Sequence, residues 1–162
     1  STPCFAQGVE HDFYQDGYRH INTSSTTVLT PSKSHFPISI SLCYYGKEDV
    51  HQYYLRLYGR YELSEDTKLV LCLDDGTELY LDAYASEIYH SRLGLVKMKT
   101  IFDAKYLITN EQLTQILSTT IVSIKIKTKG DWHSKTFKHN KIGNWLKLNY
   151  REINKKLTIK QR

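Results

Sequence analysis

From Ile38 onward the chain alternates in hydrophobicity. Ile38, Ile40, Leu42 and Tyr44 fall on one face, with Ser39 and Ser41 on the other, the period of two that marks a half-buried strand. The next segment repeats the pattern with larger side chains: Tyr53, Leu55, Leu57, Tyr61 and Leu63 share one face, and Tyr54, Arg56, Tyr58 and Arg60 the opposite one. Gly59 marks an expected bulge. Leu69 to Leu73 is apolar on both faces, as a central strand would be. Asp74-Asp75-Gly76-Thr77 then supplies a hairpin turn, because Asp and Gly tolerate the positive φ such turns need, and the return segment 78–84 places Leu79 and Leu81 inward. Further strands are predicted over 95–102, around Val122–Ile126 and over 132–138. The polar, Ser/Thr-rich residues 7–35 read as an extended arm that adds an edge strand within 20–29, and residues 86–94 read as a loop.

Two segments change period. Thr109-Asn110-Glu111-Gln112 is a capping box, in which the Thr hydroxyl accepts from the amide three residues on and Gln112 reaches back to the Thr109 amide. It starts a short helix near 109–118. Ile142, Trp145, Leu146, Ile153 and Leu157 recur at helical spacing, predicting an amphipathic helix near 141–158. Its apolar stripe packs on a sheet and leaves Lys141, Lys147, Arg151, Lys155 and Lys156 outward. Many short strands between turn signals indicate an antiparallel arrangement rather than parallel βαβ units. The expected fold is mainly β (α+β): an antiparallel, β-sandwich-like domain over residues 7–162 with these two helices.

Length and composition fit that picture. The 162 residues are 40% hydrophobic and 24% charged, which excludes a disordered chain and a disulfide-packed miniprotein. The formal charge of +5 conceals a division: residues 1–124 carry 10 Lys+Arg against 15 Asp+Glu, and residues 125–162 carry 12 against 2. Such a split points either to an anionic partner for the C-terminal part or to pairing between the two parts. No run of 18 apolar residues occurs, so no membrane-spanning helix is expected. Cys4-Phe5-Ala6 places small residues at −3 and −1 of a cut before Gln7, the pattern that ends an export signal. Residues 1–6 thus read as a signal-peptide remnant, and the expected location is extracytoplasmic, periplasmic or secreted, after cleavage near Ala6. Cys43 and Cys72 sit in apolar strand-like runs and read as buried free thiols, with a disulfide between them as the alternative in an oxidising compartment.

Chemistry is sparse. The chain holds no G-x-S-x-G, H-E-x-x-H, C-x-x-C or Walker A motif, so the signatures that join spacing to mechanism are missing. Asp74, Asp75 and Asp82 read as part of a solvated hairpin rather than a cation site. The seven histidines form no i, i+3 or i+4 pair, and His133 and His139 would lie about 20 Å apart on one strand, far beyond the reach of one metal ion. No catalytic residue, metal ligand or cofactor is predicted. Thirteen tyrosines are more informative. Tyr54, Arg56, Tyr58 and Arg60 would present rings and guanidinium groups on one strand face, suited to stacking on sugars, nucleobases or an extended peptide.

Residues 69–82 (strand, Asp-Asp-Gly-Thr, strand), Tyr106-Leu107-Ile108-Thr109 followed by Glu111-Gln112-Leu113, the strand Val122–Ile126 and the closing Lys-rich helix together resemble small secreted proteins of unknown function from gut bacteria. Asp12-Phe13 and Thr23–Thr27 resemble the entry segment of that group. Leu107 departs from the pattern, which often has Pro there, and the 86–94 segment lacks the group's small-residue run. The resemblance implies a β-rich fold and an exported location, and carries over no catalytic residue. The expected function is that of a non-enzymatic binding module for a glycan or protein partner. The alternatives are nucleic-acid or anionic-polymer binding through Lys141, Lys147, Arg151, Lys155 and Lys156, with nucleic acid the less expected ligand, and a hydrolase without a recognisable motif.

Overall fold

The computed structural model describes residues 8–31, 37–59, 67–93, 97–128 and 131–159. Antiparallel strands form two sheets. The larger contains β1 (Val9–Gln15), β2 (Tyr18–Thr23), β3 (Thr26–Leu29), β4 (Ile38–Lys47), β5 (Val50–Gly59), β8 (Ala85–Leu93) and β9 (Lys97–Leu107). Its order is β1-β2-β4-β5-β9-β8, with β3 beside β4. The smaller holds β6 (Lys68–Leu73), β7 (Glu78–Asp82), β10 (Ile121–Thr128) and β11 (Asp131–Thr136), in the order β11-β10-β6-β7. Helices α1 (Asn110–Ser118) and α2 (Lys141–Thr158) complete the molecule. This is the mainly-β, sandwich-like α+β fold that the periodicity predicts, and no helix among the described residues is long and apolar enough to cross a membrane.

The alternation of β4 and β5 sorts the larger sheet into two faces. Ile38, Ile40, Leu42, Leu55 and Leu57 are fully buried on the inner face, where they meet Leu69, Leu71, Ile124 and Ile126 of the smaller sheet and Ile142, Leu146 and Ile153 of α2 in one continuous core. Each such aliphatic side chain taken fully from water contributes roughly 1.5–3 kcal/mol. The smaller sheet joins the larger at Ala83 and Tyr84, where the chain passes from β7 into β8 and the Tyr84 amide donates to the Lys105 carbonyl at 2.9 Å.

Three segments depart from the sequence expectation. The described part of residues 7–35, residues 8–31, does not form an arm with one edge strand. Asp16 and Gly17 take positive φ (54° and 81°), a two-residue hairpin turn whose twist suits paired strands, so β1 and β2 form a hairpin and β2 lies inside the sheet. Residues 86–93 are not a loop: Ala85–Leu93 pair along β9 from Lys105 to Lys97. Gly59 makes no bulge either, since it pairs in register with Ile38 and Phe102. Its missing side chain instead leaves room for the Pro37 carbonyl, which would lie 3.0 Å from a Cβ there. Tyr61, Leu63 and the turn at Lys129-Gly130 lie outside the described residues.

Between β2 and β3 the chain leaves the β4 ladder at Ser24 and Ser25, and α2 repairs the break. The Leu42 amide donates to Asn149 Oδ1 (3.0 Å), and the Ser24 carbonyl accepts from Asn149 Nδ2 (3.2 Å) and from the Trp145 indole (2.9 Å). The Thr23 hydroxyl donates to the Leu42 carbonyl at 2.6 Å. Leu42, Thr23, Ser24 and Asn149 are buried, and a polar group of theirs left without any partner would cost about 1–3 kcal/mol. The far end of α2 is held by Arg19, which pairs with Asp12 and donates to the Lys156 carbonyl at 3.2 Å, a cation placed at the negative end of the helix. The hydrogen bonds from Arg19 hold the Asp12 carboxyl below its ordinary range.

Candidate functional site

The outer face of the larger sheet carries the second half of each alternation. On β4 these positions are Ser39, Ser41, Cys43 and Tyr45, paired with Tyr58, Arg56, Tyr54 and Gln52 of β5. The β1–β2 turn fixes Phe13 opposite His20, and the β2–β4 pairing sets His20 opposite Tyr45. Rings on neighbouring strands therefore line up across the sheet. Phe13 stacks on His20 at 5.0 Å with an interplanar angle of 8°, His20 on Tyr45 at 5.9 Å and 24°, and Tyr45 leans on Tyr54 at 6.0 Å. Tyr18 meets Tyr45 edge-on at 6.1 Å. These separations fall within the range of attractive ring pairs. Two cations flank the row, Lys105 Nζ over the Tyr54 ring at 5.7 Å and Lys47 Nζ over the Tyr18 ring at 5.8 Å.

Accessibility falls along the row. Phe13 is 40% exposed, His20 and Tyr45 are half-buried and Tyr54 is buried. Tyr54 lies opposite Cys43 and donates to Asn22 Oδ1 at 3.1 Å, and burial raises its hydroxyl pKa far above the ordinary value. Burial likewise raises the pKa of the Cys43 thiol, which is free and lies 3.6 Å from the Ser41 hydroxyl, so neither group supplies an anion near neutral pH. Burial, followed by the charge of Lys105, lowers the His20 pKa and keeps the imidazole neutral within its stack. Cys72, the other free thiol among the described residues, is half-buried in the smaller sheet.

Of the four residues singled out in the sequence, the three that lie on β5 have different surroundings. Arg56 donates to both carboxylate oxygens of Asp103 on β9 at 2.6–2.9 Å. Burial works against its charge, but the bonds to Asp103 outweigh it and the guanidinium pKa is raised. Arg56 also covers the Tyr58 ring at 5.1 Å. Tyr58 is partly exposed beside it, and Arg60 lies outside the described residues. Tyr54 and Arg56 thus form the deeper, interlocked part of the face, with Tyr58 exposed at one side of it and Phe13, His20, Tyr18 and Tyr45 extending it on the other. Sequence reasoning missed that extension because it treated residues 7–35 as an arm. The signal was present: a two-residue turn at Asp16-Gly17 sets Phe13 opposite His20 by counting alone.

The five cations assigned to α2 do not form one patch. Lys147, Arg151 and Lys155 are four residues apart and lie on the side opposite the buried Ile142, Leu146 and Ile153, with Lys155 paired to Glu152 at 3.2 Å. Lys141 bends to the Thr27 carbonyl at 3.3 Å, and Lys156 lies at the Asp12–Arg19 end. The Asp74-Asp75 segment is a turn, with the Thr77 amide donating to Asp75 Oδ1 at 2.9 Å. Comparison with protein-family models, curated proteins and solved structures gave no match to this chain.

Proposed function

We propose that this chain is an exported, non-enzymatic binding module of the kind found among small secreted bacterial proteins, and that it receives a carbohydrate on the outer face of its larger sheet. The observation that carries this reading is the ring row Phe13–His20–Tyr45–Tyr54, which crosses four neighbouring strands. The apolar face of a sugar ring packs on such a surface. Tyrosine hydroxyls, the His20 imidazole and the two flanking lysines offer hydrogen bonds to its hydroxyl groups. The interlocked Arg56–Asp103 pair keeps the floor rigid, which limits the entropy lost on binding.

A glycan array followed by titration calorimetry tests this. Phe13→Ala and Tyr45→Ala are each expected to weaken binding of an array hit about tenfold, or about 1.4 kcal/mol, with the melting temperature little changed for Phe13→Ala. Undiminished affinity in both variants would reject the face. A second reading, anionic-polymer binding, rests on the outward stripe Lys147, Arg151 and Lys155. It predicts heparin retention that fades steeply with salt and disappears in a triple Gln variant of these residues.

A further inference from the structure

β3 and β11 are the facing edges of the two sheets. Their Cα atoms come within 8 Å, yet no ladder joins them. Between them opens a cleft of about 500 Å³. β11 is exposed on nearly its whole length, and its pairing shows which backbone groups it offers. The Phe137 amide donates to the Val122 carbonyl at 2.9 Å, and the register runs from Ser123 opposite Thr136 to Thr128 opposite Asp131. In an antiparallel ladder the pairs that exchange hydrogen bonds alternate with pairs that do not. His133 and Lys135 therefore bond to β10, and the N–H and C=O groups of Trp132, Ser134 and Thr136 point to the free edge. Across the cleft the Thr27 carbonyl is held by Lys141.

A bare strand edge takes another strand. The side chains here select its chemistry. Lys135 and Lys141 line the cleft, and no Asp or Glu among the described residues does so. Trp132, 51% exposed beneath Lys127 Nζ at 6.0 Å, stands at the cleft as an apolar wall. A second copy of this chain would set lysine against lysine. We propose that the β11 edge binds an extended acidic peptide by strand addition, with carboxylates toward Lys135 and Lys141 and apolar side chains toward Trp132. This surface is separate from the ring row and independent of it.

The probe is the capped hexapeptide acetyl-(Val-Glu)3-amide, with its Val-Lys counterpart and free glutarate as controls, measured by calorimetry and amide NMR. Ser134→Pro removes only an outward N–H, and proline is tolerated at a sheet edge. This variant should keep the circular dichroism spectrum and melting behaviour of the parent but lose at least about tenfold in affinity for the acidic peptide. Lys135→Glu should lose a similar factor. Four results would each overturn the proposal: no binding at about 1 mM peptide, equal binding of the Val-Lys peptide, full affinity in Ser134→Pro, or glutarate competing as well as the peptide does, which would make the cleft a simple anion site. Should Ser134→Pro unfold, Ser134 N-methylation by chemical synthesis gives the same readout. A parent protein that dimerises and becomes monomeric in Ser134→Pro would assign the edge to a second copy and likewise defeat the proposal.

Discussion

Removing the side-chain amide of Asn149 leaves the Leu42 N–H buried without an acceptor, while the Ser24 carbonyl keeps the Trp145 indole. The loss is one unsatisfied donor plus a small cavity, so Asn149→Ala is expected to cost about 2–3 kcal/mol in urea unfolding. Asn149→Asp keeps the acceptor but aims a carboxylate at the Ser24 carbonyl. Relative to the parent at the same pH, it should therefore be more destabilised at pH 7 than where the carboxyl is protonated, and a difference from the parent that does not change with pH would show that the amide donor is dispensable. His20 provides a second pH test. Its pKa is lowered in the folded state, so below the unfolded value of about 6.5 the unfolded chain binds a proton that the native stack resists. Stability should decline as the pH falls from about 6.5 through the lower native value and then level off. His20→Phe should abolish this step. Asp12, whose native pKa is also lowered, contributes stability above the ordinary carboxylate range and loses it at lower pH, so the two steps separate on an acid titration.

At the scale of elements, the capping box of α1 is both readable and observed: Thr109 Oγ1 accepts from the Gln112 amide at 3.0 Å, and Gln112 Oε1 from the Thr109 amide at 2.9 Å. Thr109→Ala should cost about 1 kcal/mol. The start of α2 works differently, because Asn140 Oδ1 accepts from the Ile121 amide at 3.0 Å and makes no cap bond to its own helix. Room for it comes from Gly143, where a Cβ would lie 2.1 Å from that oxygen. Despite alanine's higher helix propensity, Gly143→Ala is expected to lower the melting temperature, and adding Asn140→Ala should give less than an additive loss.

The legible parts of the chain were those whose signal is local. Alternation in β4 and β5, the Asp-Asp-Gly-Thr hairpin and the Thr109 capping box each follow from residues a few positions apart. The β2–β3 break was not legible, because its partners lie more than a hundred residues away on α2. Nor was the locking of Arg56, since Asp103 meets it only through the β5–β9 register. The alternation gave Tyr54, Arg56 and Tyr58 one face, but which end of that face stays open depends on strands from other parts of the sequence.

Across the whole molecule, the acidic first part and basic last part meet at particular contacts rather than as two smeared charges. Lys125 on β10 reaches across β6 to Glu78 on β7 at 3.8 Å, and both partners are well exposed, so this pair is worth little. Raising salt should accordingly shift the melting temperature only slightly. The continuous core, shared by both sheets and α2, predicts one cooperative transition in which far- and near-ultraviolet circular dichroism coincide.

The repair of the β2–β3 gap by α2 also has a temporal side. Three of the first four strands of this fold share a seam that only α2, which follows them all in the chain, can seal. Until the region around Asn149 emerges, Leu42 and Ser24 have water for partners, and the nascent sheet stays permeable along that line. Maturation of the larger sheet is therefore tied to the emergence of α2. A chain cut before α2 should be recognised by quality-control proteases as unfinished, even though every strand of the larger sheet is already present.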